Sequence, residues 1–335
     1  MDTKLHKPVS KCSIQSVLLY MQSVFFYMQS VFSIPYPRLG IRMAWIWCTE
    51  NVLLHRMKQV PFFLGLFMLW LISPDANGQP SRIVSLSGAL SEAVDALGLG
   101  DRLVAVDVTS EYPAYIKKLP RVSQDRTIPL EGLLAFRPEL VLAPTGDLAP
   151  DVERRLKQLG IKVVTFQQEY SANGTLRLIR EVATALNIAE KGNTLARKLK
   201  QDLENALQER KVSQKKTKVL FIYAQGVGLM SVAGKGSSVD AIIELAGGRN
   251  AIQEFSDFKP YSTEALVKAN PDAILLFDFG LNSLGGTAAV LRMPGVSLTT
   301  AGKSKRIIEM DGPLLINFCT RLPQAITALN QALYP

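Results

Sequence analysis

Phenols, amides and one guanidinium are the groups in this chain whose types and placement suit holding a ligand. Tyr112 stands in the loop TSEYP directly after the strand-like run RLVAVD, a position expected at the rim of a binding cleft; a turn aromatic packed on Pro113 is the plainer alternative. Gln124 and Arg126 follow KLP in the next loop, and Gln225 lies in YAQGVG after a later strand-like run, so the two glutamines are expected to open onto one cleft from opposite halves of the protein. Tyr170 follows the strand-like KVVTF, and Tyr261 in FKPYSTEAL suits either a pocket wall or a helix N-terminus. The chemistry these groups allow is recognition: Arg126 can pair bidentately with a carboxylate, which a lysine cannot do, or it can simply cap a surface loop.

Nucleophilic and metal-cage chemistry is excluded by composition. Both histidines, His6 and His55, and two of the three cysteines, Cys12 and Cys48, precede residue 79, which leaves Cys319 as the one thiol and no imidazole beyond that point. A Ser-His-Asp or Cys-His system, an internal disulfide and a His-based zinc or manganese cage therefore have no residues to build them. The glycines of GVG (226–228) and GKG (234–236) lack the strand-GxGxxG-helix setting of a dinucleotide site and suit a tight hairpin between KVLFIYA and GLMSVA.

Those counts depend on where the working protein starts. Lys58, the apolar run PFFLGLFMLWLI (61–72) and Ala76-Asn77-Gly78 form the basic, hydrophobic and small-x-small parts of a secretory signal over 57–78, with cleavage expected near Gln79. The run is shorter than the roughly 20 apolar residues that span a bilayer. Residues 1–56, with the tandem LLYMQSVF and FFYMQSVF and the cluster Trp45, Ile46, Trp47, are expected to come from a start codon set upstream of a true initiator at Met57; the alternative is a transmembrane helix over 13–33. Setting aside residues 1–78, which hold seven Lys/Arg and three Asp/Glu, lowers the net charge from +9 to +5, and the remaining cations are interspersed with acids, which excludes nucleic-acid binding by charge. No cysteine directly follows the apolar run to carry a lipid, so a soluble periplasmic protein is expected; it is separately expected to be monomeric.

The elements that must position these groups alternate. RIVSLS, GALSEAVDALG, RLVAVD, LEGLLAF, ELVLAP, DVERRLKQLG and KVVTF read as strand and helix in turn, the rhythm of a parallel sheet covered on both faces. From Asn173 to about Lys211 helical spacing takes over, with a break at Asn187, before the α/β rhythm resumes at KVLFIYA. PLEGLLAFRPELVLAP (129–144) and STEALVKANPDAILLFD (262–278) match in an acid, a helix, a proline seven residues on, a second acid and a buried strand. The expected organisation is an N-terminal α/β lobe over 79–187, a connecting helix over 188–213 and a C-terminal α/β lobe over 214–335, with the ligand between the lobes at the carboxyl ends of their strands.

On SRIVSLSGALSEAVDALGLGDRLVAVDVTSEYP, KLPRVSQDRTIPLEGLLAFRPELVLAP, VAGKGSSVDAIIELAGGRNAI and AGKSKRIIEMDG, residues 80–335 resemble the periplasmic haem-binding proteins of ABC importers. The resemblance implies a class III periplasmic binding protein, with two Rossmann-like lobes bridged by a long α-helix. It implies a non-catalytic carrier of haem, held as transported ligand, that serves an inner-membrane ABC permease with its ATPase. A cobalamin or ferric-siderophore carrier of the same class, and an oxidoreductase on a similar scaffold, are the alternatives. The family's axial tyrosine, in a pattern of the type V-G-Y-x-R, is replaced here by Gln124, a histidine found in some relatives falls at Gln225, and the supporting arginine is kept as Arg126. A phenolate is a strong, hard donor to ferric haem and a glutamine is a weak one, so either haem is held mainly by apolar and propionate contacts, or another tyrosine supplies the bond, with Tyr112 the candidate, or the cargo is not haem. One glutamate per lobe, expected at Glu92 and Glu244 on the first helix of each, would dock onto permease arginines.

Overall fold

The computed structural model describes residues 78–335 apart from 125, 126, 227, 229 and 261. The signal-like run up to residue 77, the extension before it, and the candidates Arg126 and Tyr261 lie outside the described residues. Among the described residues no helix is long and apolar enough to cross a membrane.

The N-terminal lobe runs β1 (Ile83–Ser85), α1 (Gly88–Ala96), β2 (Leu103–Val106), α2 (Leu130–Leu134), β3 (Leu140–Pro144), α3 (Pro150–Gln158) and β4 (Lys162–Phe166). Its four strands are all parallel, in the order β2-β1-β3-β4. Two long helices follow, α4 (Ala172–Ala185) and α5 (Ala189–Glu209), separated at Asn187, whose φ of 59° ends the first of them.

The C-terminal lobe runs β5 (Lys218–Ala224), β6 (Met230–Ala233), α6 (Ser238–Leu245), β7 (Arg249–Asn250), β8 (Phe258–Pro260), α7 (Thr263–Ala269) and β9 (Ala273–Phe277). Short helices α8 (Asp278–Ser283), α9 (Thr287–Leu291) and α10 (Thr300–Lys303) lead to β10 (Ile307–Met310), α11 (Gly312–Ile316) and α12 (Leu322–Leu333). Its parallel strands pair in the order β7-β5-β9-β10, the plan of the first lobe, and β6 and β8 add an antiparallel pair beside β5.

The repeat seen in the sequence extends to details of backbone. Asn270 (φ 42°) caps its helix in the left-handed region and Arg137 (φ 45°) takes the same conformation three residues past the end of its helix, each directly before a proline, Pro271 and Pro138. The acids that follow do the same work in each lobe. Glu139 accepts the backbone N–H of Ser81 at 2.7 Å and Asp272 that of Lys218 at 2.9 Å, tying the start of the first strand to the middle one.

α5 is not a free-standing rod. One apolar core passes from the first sheet (Ile83, Leu140, Leu142) through Ile179 and Val182 of α4 and Leu199 and Leu203 of α5 to Phe221, Leu275 and Ile326 in the second lobe. Separate clusters fill the far face of each sheet, with Val84, Leu133 and Val141 in one and Leu220, Leu276 and Val290 in the other. Opening the lobes would expose shared core, at roughly 25 cal/mol for each Å2 of apolar surface.

α4 and α5 meet at Gly192, where an added Cβ would collide with the Cβ of Ala183. Replacing a helix-interior glycine by alanine ordinarily stabilises by about 1 kcal/mol. Here overpacking should reverse the sign, so Gly192→Ala is expected to lower the unfolding free energy measured in urea by about 1–2 kcal/mol.

Candidate functional site

β5 shows how the sheet delivers side chains to the space between the lobes. Its residues alternate, with Val219 and Phe221 in the shared core and Leu220, Ile222 and Ala224 in the outer cluster. Tyr223 continues the inward row at the carboxyl end of the strand, where the row leaves the core. Phe277 ends the matching row of β9, 4% exposed at the edge of the shared core, and Phe279 follows it on α8.

These rings line one side of a cleft of about 730 Å3, within the ~300–1,000 Å3 usual for small-molecule sites. The first lobe supplies Gly88 and Ala89 at the start of α1, Pro144 and Thr145 at the end of β3, and Gln167, Gln168 and Tyr170 after β4. α11 forms part of the floor through Gly312, Pro313 and Asn317. Gly88 has to be a glycine there, since a Cβ would stand 2.8 Å from the carbonyl oxygen of Thr109 and 3.1 Å from the Asn317 side chain.

The two walls differ in chemistry. On the second lobe Tyr223 meets Phe279 at 5.9 Å and Phe277 at 6.1 Å, both nearly edge-on, while Phe277 and Phe279 lie 5.4 Å apart, tilted by 40°. The result is an aromatic surface suited to the flat face of a large ring. The Tyr223 hydroxyl oxygen accepts a 2.8 Å hydrogen bond from the Gln225 side-chain amide. On the first lobe Tyr170 packs edge-on against Phe318 at 5.3 Å. Burial raises the pKa of the Tyr170 phenol, and the carboxylates of Asp147 and Asp257 push it the same way, so this hydroxyl keeps its proton at neutral pH.

Behind the cleft the lobes are joined by ions. Glu92 on α1 is 1% exposed, and its Oε1 accepts from the Thr320 hydroxyl (2.7 Å) and the Arg321 backbone N–H (3.1 Å). Its Oε2 accepts from Nε (3.2 Å) and Nη2 (3.1 Å) of Arg321 and more distantly from the Asn317 amide. The Arg321 guanidinium also lies 3.5 Å from the centre of the Tyr112 ring and 3.8 Å from the Asp311 carboxylate.

The expected site residues are thus redistributed. Gln225 and Tyr170 line the cleft, and Gln225 serves Tyr223 rather than pointing alone at a ligand. Tyr112 is not among the residues lining the cleft; its ring, 40% exposed, carries Arg321 on one face, and Gln124 is exposed outside the cleft. Glu92 is corrected outright: a carboxylate buried in an interlobe ion pair cannot meet a membrane partner. Glu244 on α6 is exposed. Tyr223, Phe277 and Phe279 were missed; the signal for Tyr223 and Phe277 was their place as the last inward residues of two strand-like runs, and Phe279 follows the second run on α8.

Comparison with known proteins agrees with this architecture. The family model described as periplasmic binding protein matches residues 83–314. The chain is similar to the solved periplasmic heme-binding protein RhuT from Roseiflexus sp. RS-1, at 35% identity and a TM-score of 0.72 over 76% of this chain and 98% of that one. It is 29% identical, over 77% of its length and 81% of the relative's, to the uncharacterized ABC transporter substrate-binding lipoprotein YvrC of Bacillus subtilis (strain 168). It is 32% identical to the vitamin B12-binding protein of Vibrio campbellii (strain ATCC BAA-1116), over 62% of this chain and 76% of that protein.

Removing Arg321 alone would strand the Glu92 carboxylate between the lobes. Arg321→Ala is expected to destabilise the protein by about 3–5 kcal/mol in urea unfolding, far more than an exposed pair such as Lys200 and Glu204 would.

Proposed function

This chain belongs to the periplasmic binding protein family, and we propose that within it the chain is an exported carrier that holds haem in its interlobe cleft and hands it to an ABC importer in the inner membrane. The observation that carries the cargo is the Tyr223 phenol with its Gln225 donor, set in a wall of aromatic rings. A planar tetrapyrrole buries its face against Phe279 and Phe277, and the phenol oxygen stands beside it as a hard donor to ferric iron. The Gln225 N–H, donating to that oxygen, fixes the direction in which the phenol presents it to the cleft. Tyr170, kept neutral by burial and by two carboxylates, serves as wall and hydrogen-bond donor instead.

Iron ligation therefore moves from Tyr112 to Tyr223. Haem is the cargo, not a resident group, and the carrier's task is capture and release rather than turnover. A corrinoid is the second reading: Gln167, Gln168, Gln225 and Asn317 give the cleft an amide-rich lining that suits amide-bearing side arms, and the Vibrio relative is named for vitamin B12.

Docking onto the permease follows the repeat. Glu131 and Glu264 occupy matching positions, each in the first turn of its short helix, and both are exposed. Charged points so placed orient an encounter without a large apolar interface. They replace the pair of Glu92 and Glu244, of which one member is buried.

Two measurements test this reading. Titration of the purified protein with hemin should give a Soret band with tyrosinate features; Tyr223→Phe should remove those features and weaken binding about tenfold, the equivalent of roughly 1.4 kcal/mol, while Tyr112→Phe changes neither. Uptake of cyanocobalamin in preference to hemin would favour the corrinoid instead. Charge reversal at both docking positions, Glu131→Lys with Glu264→Lys, should leave the hemin spectrum intact and abolish stimulation of the importer's ATPase.

A further inference from the structure

The second lobe carries an antiparallel pair, β6 and β8, that its counterpart lacks, and the pair puts an aromatic ring at the outside of the cleft. All three residues of β8 are exposed, and Phe258 is 46% exposed. Its ring stands edge-on to Tyr223 at 6.5 Å and to Phe221 at 6.3 Å. Phe258 is not among the residues lining the cleft, whereas Tyr223 is. Ring therefore follows ring from Phe279 in the cleft, through Tyr223 on its wall, to the exposed Phe258, which is not part of the lining.

Shielding the strand pair does not explain a phenylalanine there. Exposed edge strands are ordinarily blunted by charge, and Lys259 already does this, its ammonium sitting 4.7 Å above the Phe255 ring on the other side of the strand. A large ring left nearly half in water forfeits part of the ~1.5–3 kcal/mol that full burial would give.

We propose that Phe258 is an entry contact for the cargo: the flat face of the tetrapyrrole stacks on it outside the cleft and then slides along Tyr223 to Phe279. This rests on the tetrapyrrole reading given above. A contact made in passage and given up on arrival speeds entry and exit alike and leaves affinity unchanged.

Stopped-flow mixing of the full chain with hemin, followed in the Soret band, tests it in unaltered protein, Phe258→Ser and Phe258→Trp. For Phe258→Ser the association and dissociation rate constants should both fall roughly three- to tenfold, the effect of one aromatic contact, with the final spectrum and affinity unchanged, and Phe258→Trp should keep both rates. Unaltered rates in Phe258→Ser, or weaker affinity with the association rate intact, would overturn the proposal. If the unaltered protein takes up cyanocobalamin and not hemin, the haem reading falls while the same rate comparison made with cyanocobalamin still decides the role of Phe258. Uptake of neither overturns both.

Discussion

Because the apolar core that fills the space between the two sheets is shared, through α4 and α5, by both lobes, the width of the cleft is set by the same packing that holds the protein folded. Leu199 and Leu203 of α5 touch neither sheet's outer cluster but belong to the common one. Beside them the bidentate pair of Glu92 and Arg321 fixes the first lobe to the start of the last helix. A hinge would have to break a buried ion pair and uncover core at once. The cleft is therefore expected to exist before its ligand arrives, and selectivity must come from what lines it rather than from closure.

The lining divides the work between lobes. Rows of inward residues on β5 and β9 end in rings, which gives the second lobe a flat apolar wall. The first lobe offers helix and loop ends with amides, hydroxyls and Tyr170. A planar macrocycle with polar edges has one surface for each. The phenol of Tyr223 gains its distinction from a neighbour two positions along the same chain, whose amide nitrogen reaches back to it.

Much of the fold was legible because its signals are local. Period-two and period-3.6 patterns marked the strands and helices, and the internal repeat, down to Pro138 and Pro271 at the same distance from Glu131 and Glu264, announced two lobes of one plan. The site was less legible because its pairings are not local. Glu92 has the look of a solvated helix acid until its partner, 229 positions away in the sequence, is brought against it. Tyr112 was placed correctly in a loop after a strand, but the same distant arginine occupies its ring. Tyr223 read as one more apolar strand residue. Only its position at the end of an inward-facing row, at the edge of the core, separates it from Phe221.

A crystal structure of the protein with hemin bound tests the central claim most directly. The account predicts the macrocycle against Phe277 and Phe279, its iron bonded to the Tyr223 oxygen, and the two lobes related as they are without ligand to within about 1 Å. Iron held by another side chain, or a rotation of the lobes that parts Glu92 from Arg321, would contradict it.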